Sequence, residues 1–166
     1  MMNRAVAALV VTAFFLNPAS SGAADLFPPS AVRLAAGPML EAQETNARYV
    51  LAHDVDRLLA PIRAEAGLEP RGPRYGNWES MNISGHTAGH YLTALAQIYA
   101  NTGDAEAKRR LDYMVAELAE VQGAHEPGDL LYGYIGGVGN SRQLWEQVRR
   151  GELRVQGGWL NGAWAP

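Results

Sequence analysis

Two amphipathic helical stretches joined by three residues constrain this chain more than any other feature. Ile83 to Asn101 (ISGHTAGHYLTALAQIYAN) reads as a helix, with Ser84 as a plausible N-cap. Tyr91, Leu92, Leu95, Ile98 and Tyr99 recur at the spacing of a core-facing stripe. Thr102-Gly103-Asp104 stops that helix and starts the next, Ala105 to Gln122. Its apolar set is Leu111, Met114, Val115, Leu118 and Val121, and Lys108, Arg109, Arg110, Glu117 and Glu120 fill the opposite, solvated face. So short a connection folds the two helices into an antiparallel hairpin. With the loop that follows it, the hairpin takes up about 55 residues, to roughly Gly137, and units of this size stack side by side in toroids and solenoids.

No second copy of the hairpin is present. Met39 to Ala52 has helical periodicity. Asp54 or Asp56 can cap a short helix, Arg57 to Ala66, in which Pro61 begins a new turn and which Gly67 terminates. Asp25 to Pro38 is expected to be extended, because paired prolines and a Gly-Pro step forbid a regular helix. Glu69 to Trp78 is a loop by composition. Gly123 to Ser141 is glycine-rich, Ser141 caps a short helix through Arg149 or Arg150 that Gly151 closes, and Gly157 to Pro166 is loop-like and aromatic. A small helical bundle is the plain alternative to a toroid segment. Against it stand the aromatic loops Arg71 to Ser80 and Gly157 to Pro166, which have little to pack on in a small bundle, and a C-terminus with neither cap nor polar tail.

The first 24 residues read as a signal peptide. Arg4 supplies a positive n-region, Ala5 to Leu16 a short apolar run, and Asn17-Pro18 breaks the helix. Ser20 to Ala24 offers small residues for cleavage after Ala23 or Ala24. The expectation is export to the periplasm or the exterior, leaving a mature chain of about 142 residues. No later apolar run is long enough to cross a bilayer, so no membrane contact is expected after cleavage. The chain carries a net charge of -3 and no cysteine. A mildly acidic chain without a basic run is a poor nucleic-acid binder, since that affinity comes from neutralising phosphates. Without cysteine there is no disulfide framework, thiolate zinc site, cysteine nucleophile or lipoprotein anchor in this chain.

His86 and His90 lie at i, i+4, so their imidazoles leave one helix face together. Such a pair can share a metal, but the zinc-protease pattern needs Glu after the first His, and here Thr87 stands there. No third ligand is obvious, although His53 and His125 exist. The two histidines either hydrogen-bond across a helix–loop contact or face a sugar at the mouth of a pocket. Trp78 offers a flat apolar face for the C–H faces of a sugar ring. Glu79 either accepts hydrogen bonds from hydroxyls or acts as an acid/base, or it simply sits near a helix N-terminus, where the dipole favours negative charge. The acidic residues contain no motif that singles out a hydrolytic carboxylate pair. Gly133, Gly136, Gly137 and Gly139 lack the lysine and the strand–turn–helix context of a nucleotide loop, and instead let a loop bend tightly or approach a ligand. Ser84 and Ser141 read as caps, and Asn82-Ile83-Ser84 is a weak glycosylation match.

A series of phrases then comes in order. It includes Ala42-Gln43-Glu44-Thr45-Asn46 with Tyr49; Asp54 to Pro61 (DVDRLLAP); Tyr75-Gly76-Asn77-Trp78-Glu79; Gly85-His86-Thr87-Ala88-Gly89-His90-Tyr91-Leu92; Thr102-Gly103-Asp104; and Gly133-Tyr134-Ile135-Gly136-Gly137. Together they resemble the N-terminal part of the β-L-arabinofuranosidase family, glycoside hydrolase family 127, over about Phe27 to Pro166. The resemblance implies an all-α fold of helical hairpins, part of an (α/α)6 barrel left incomplete in this chain, with β-sandwich domains following in the family. It implies retaining hydrolysis of terminal β-L-arabinofuranosides, with an arabinose-containing oligosaccharide or glycan as partner. It also implies a zinc held by cysteines and a glutamate, a cysteine nucleophile and a glutamate acid/base, whose motifs lie further along the family's chain. No catalytic or metal-binding residue is therefore assigned here. Trp78, Glu79, His86, His90 and Trp164 are the candidates for a substrate-binding pocket wall. The rival expectation is a secreted helical carbohydrate- or protein-binding module without catalysis.

Overall fold

A computed structural model describes residues 26–80 and 83–152, together with the backbone of three short strands beyond them. The signal-peptide reading of residues 1–24 lies outside the described residues. Among the described residues five α-helices carry the fold: α1 (Pro38–Leu51), α2 (Val55–Glu65), α3 (His86–Thr102), α4 (Ala105–Gln122) and α5 (Ser141–Arg150). α3 and α4 form the expected hairpin. Gly103 closes α3 in the left-handed region at φ 75°, and the Asp104 side chain accepts the Ala107 N–H at 2.8 Å to open α4.

α2 lies in the groove of this hairpin and α1 packs on α3. The core is contiguous: Val55, Leu58, Leu59 and Ile62 of α2 meet Ala88, Tyr91, Leu95 and Ile98 of α3, and Ala107, Met114 and Val121 of α4. Leu58, Leu59, Leu95 and Met114 are fully enclosed, each contributing about 1.5–3 kcal/mol relative to exposure. Pro61 sits inside α2 rather than opening a new turn, and the helix starts at Val55 on an Asp54 cap that accepts the Asp56 N–H. The chain ahead of α1 is mostly extended, with one 3-10 turn at Pro29–Ala31. Arg33 ties it down by donating to the Asn101 carbonyl, at the C-terminal end of α3, at 2.9 Å.

The buried stripe of α4 differs from the expected one. Val115 is exposed, as is Tyr99 on α3, while Glu117 is only 6% exposed. Glu117 therefore does not belong to a solvated face. It accepts from the buried Arg63 of α2 at 2.6 Å and from Arg71 of the following loop at 3.0 Å. Glu120, half-exposed, completes the cluster with Arg63 at 2.8 Å. Its hydrogen bond with Arg63 holds the Glu120 carboxyl below the usual range and raises the guanidinium. A charged residue is tolerated inside because the facing helix presents the opposite charge. One turn earlier on α4, the Tyr113 hydroxyl donates to Asp56 at 2.5 Å. Burial, then this bond, pushes that phenol up to about 12.

The segment expected to be loop-like at the C-terminus contains three two-residue strands in antiparallel order: β1 (Val155–Gln156), β2 (Trp159–Leu160) and β3 (Ala163–Trp164). Trp159 pairs with Trp164. The described helical body is otherwise what a segment of an (α/α) barrel contains.

Candidate functional site

Two loops meet at the N-terminus of α3. The first runs from α2 and is pinned to it: Arg57 stacks over the Tyr75 ring at 3.9 Å and donates to the Pro73 carbonyl, while Arg63 donates to the Glu69 carbonyl. It ends in a 3-10 turn, Asn77–Ser80, with Asn77 in the left-handed region at φ 57°. That turn sends successive side chains in opposite directions. Trp78 stands out at 65% exposure, whereas Glu79 turns in and is 4% exposed.

Glu79 is the true cap of α3. One carboxylate oxygen accepts the Gly85 N–H at 2.7 Å and the other the Thr87 N–H at 2.9 Å. A negative group thus satisfies donors that the helix start leaves orphaned, and it complements the dipole. Ser84, expected to be the N-cap, instead donates to the Glu79 carbonyl at 2.9 Å; the helix begins at His86 after a left-handed Gly85. Of the readings of Glu79, the geometry displays the helix-terminus one, with each carboxylate oxygen accepting one backbone N–H.

The second loop, between α4 and α5, closes over this point. A Cβ on Gly137 would lie 3.0 Å from the Ser84 carbonyl, and one on Gly85 would lie 3.1 Å from the Gly137 nitrogen. The glycines expected to permit close approach do so, to the backbone at Ser84-Gly85. Gly137→Val should therefore push the loop off α3 at a cost of about 1–3 kcal/mol, measured as faster amide exchange and protease cleavage between α4 and α5.

The same loop delivers α5. Ser141 is the first helical residue rather than the cap, since Asn140 precedes it in the left-handed region. Its hydroxyl donates at 2.7 Å, and its backbone N–H at 3.2 Å, to Glu65 at the end of α2. Two helix starts are thus closed by carboxylates from other elements. Near α5, Tyr134 meets Trp145 edge-on with ring centroids 6.2 Å apart, and burial raises the Tyr134 phenol. Tyr134 belongs to the Gly133 to Gly137 phrase of the sequence, whereas Trp145 carries no signal there, and neither belongs to a periodic stripe.

His86 and His90 are both exposed over the first two turns of α3, with Nε2 atoms 3.1 Å apart and rings crossed at 77°. The structure thus brings Glu79, His86 and His90 to one helix start, with Trp78 adjacent in sequence and outward-facing. The backbone of Trp164 lies in β3, and its side chain is outside the described residues. Among the described residues no group of three His, Cys, Asp or Glu side chains is arranged to hold a metal. The thiolate donors of the zinc implied by the family are absent from the chain, so these residues do not fit that group.

Comparison with known proteins adds a family. A family model described as the β-L-arabinofuranosidase, GH127 catalytic domain, matches residues 31–166. No curated protein matches the sequence. The match covers every described helix, the exposed His-rich turn and both loops that meet there, and the chain belongs to the β-L-arabinofuranosidase catalytic-domain family, glycoside hydrolase family 127.

Proposed function

We propose that this chain is the N-terminal part of an exported glycoside hydrolase acting on terminal β-L-arabinofuranosides of plant glycans. In this reading it supplies pocket wall while the reacting groups lie outside residues 1–166. The observation that carries the proposal is the family match together with the start of α3, where two imidazoles are exposed side by side and the indole next in sequence to the capping Glu79 is exposed as well. An indole face suits the C–H surface of a furanose. Imidazole nitrogens donate to or accept from hydroxyls without carrying a fixed charge. Glu79 serves the pocket by fixing this turn, since it is buried and each of its oxygens accepts a backbone N–H of the α3 start. Trp164 belongs to the proposed wall on chemistry alone. Residues 1–24 act as the export signal.

The chain's own residues then bind and orient; none of them is given a proton-transfer or nucleophilic role. The test is saturation-transfer NMR of the purified protein with methyl β-L-arabinofuranoside, using the α-L-pyranoside as control. The expected result is selective binding of the furanoside, weakened about five- to tenfold by Trp78→Ala, or about 1–1.4 kcal/mol. Equal response to both sugars, or binding indifferent to Trp78, would count against the pocket-wall reading.

A further inference from the structure

We propose that His86 and His90 form a bidentate site for a divalent transition-metal ion of the zinc, nickel and copper class. The site is separate from the cysteine-based zinc implied for the family and does not depend on the sugar reading above. Spacing i, i+4 on a helix puts the two side chains one above the other. Both rings are exposed, with centroids 4.6 Å apart and Nε2 atoms 3.1 Å apart. Two imidazole nitrogens that close share a hydrogen bond when one carries a proton and the other a lone pair. A metal ion can take the place of that proton. With metal–nitrogen distances of about 2.0–2.1 Å, a 3.1 Å separation corresponds to an N–metal–N angle of roughly 95–100°, between octahedral and tetrahedral values. The rings are thus already spaced for chelation.

The surrounding charge makes this place better for a cation than a bare helix start. The positive end of α3 would repel a metal, but the Glu79 carboxylate bound to the Gly85 and Thr87 N–H groups offsets it. Imidazole is the protein ligand common to zinc, copper and nickel, which fixes the metal class. Among the described residues no third His, Cys, Asp or Glu side chain joins the pair, so the two imidazoles are the ligands assigned. Thr87 follows the first histidine where a zinc hydrolase carries its general base, so the site binds metal without acting as a hydrolytic centre.

The experiment is titration of the untagged full chain with Ni²⁺ and Zn²⁺ by calorimetry in a non-coordinating buffer, with Cu²⁺ electron paramagnetic resonance in parallel. We expect one ion per chain and a copper spectrum with two nitrogen donors. His86→Gln and His90→Gln should each weaken binding at least tenfold, while His53→Gln leaves it unchanged. Far-UV circular dichroism checks that the variants keep their helices. Absence of a one-to-one ion in the wild type, or a copper spectrum without two nitrogen donors, would overturn the proposal without recourse to any variant. A folded His86→Gln/His90→Gln protein that binds as tightly as the wild type would overturn it equally.

Discussion

Arg63→Met should open the contact between α2 and α4 and lower its local stability by about 3–5 kcal/mol. Arg63 is 5% exposed and faces the equally buried Glu117 at 2.6 Å. Removing the guanidinium leaves a carboxylate inside with only the half-exposed Arg71 to compensate it, and an uncompensated buried charge costs far more than a surface pair. Amide exchange of α2 and the second half of α4 reports the effect directly, because it measures local opening. The double variant Arg63→Met/Glu117→Leu should recover most of the loss, since both charges then leave together. If Arg63→Met alone exchanges like the wild type, the pair contributes no more than a surface bridge.

The next largest effect is expected from Glu79→Ala, at about 2–4 kcal/mol, from the loss of two charge-assisted hydrogen bonds to backbone. The Gly85 and Thr87 amides should exchange first. The His86–His90 contact should loosen with them, because both rings stand on the turn that Glu79 fixes. Glu79→Gln keeps one carbonyl oxygen as an acceptor and should cost roughly half as much. A Glu79→Ala protein whose Gly85 and Thr87 amides stay protected would show that the helix start is held by its neighbours instead.

The hairpin was legible because its evidence is local. Tyr91, Leu95 and Ile98 on α3, and Met114 and Val121 on α4, recur at helical spacing and are buried. Gly103, Asp104 and Gly151 punctuate the helices through their own backbone and side-chain chemistry. What could not be read depends on partners far away in the chain. Glu117 looks like one more charge on a wet face until Arg63, 54 residues earlier, is folded against it. Ser84 and Ser141 stand within two residues of true helix starts, and a local rule assigns them as caps. The groups that close those helices are Glu79 and, 76 residues before Ser141, Glu65. Strands two residues long carry no alternation, so β1 to β3 leave no trace in the pattern. The family was legible for another reason: a series of individually weak phrases came in the right order, and the family match spans them.

The candidate site was legible in part. The chemistry of Glu79, His86 and His90 and their place between loop and helix are readable in the sequence, and the structure puts these three at the α3 start, with Trp78 exposed beside Glu79 in the chain. Their division of labour was not readable, because the inward turn of Glu79 and the outward turn of Trp78 come from the 3-10 geometry at Asn77–Ser80.

As proposed above, this chain supplies the wall of an arabinofuranosidase pocket while the reacting groups lie outside residues 1–166. The most direct measurement is release of the aryl group from an aryl β-L-arabinofuranoside by the purified chain with added zinc. Release no faster than in buffer is expected, and turnover above buffer would overturn the proposal.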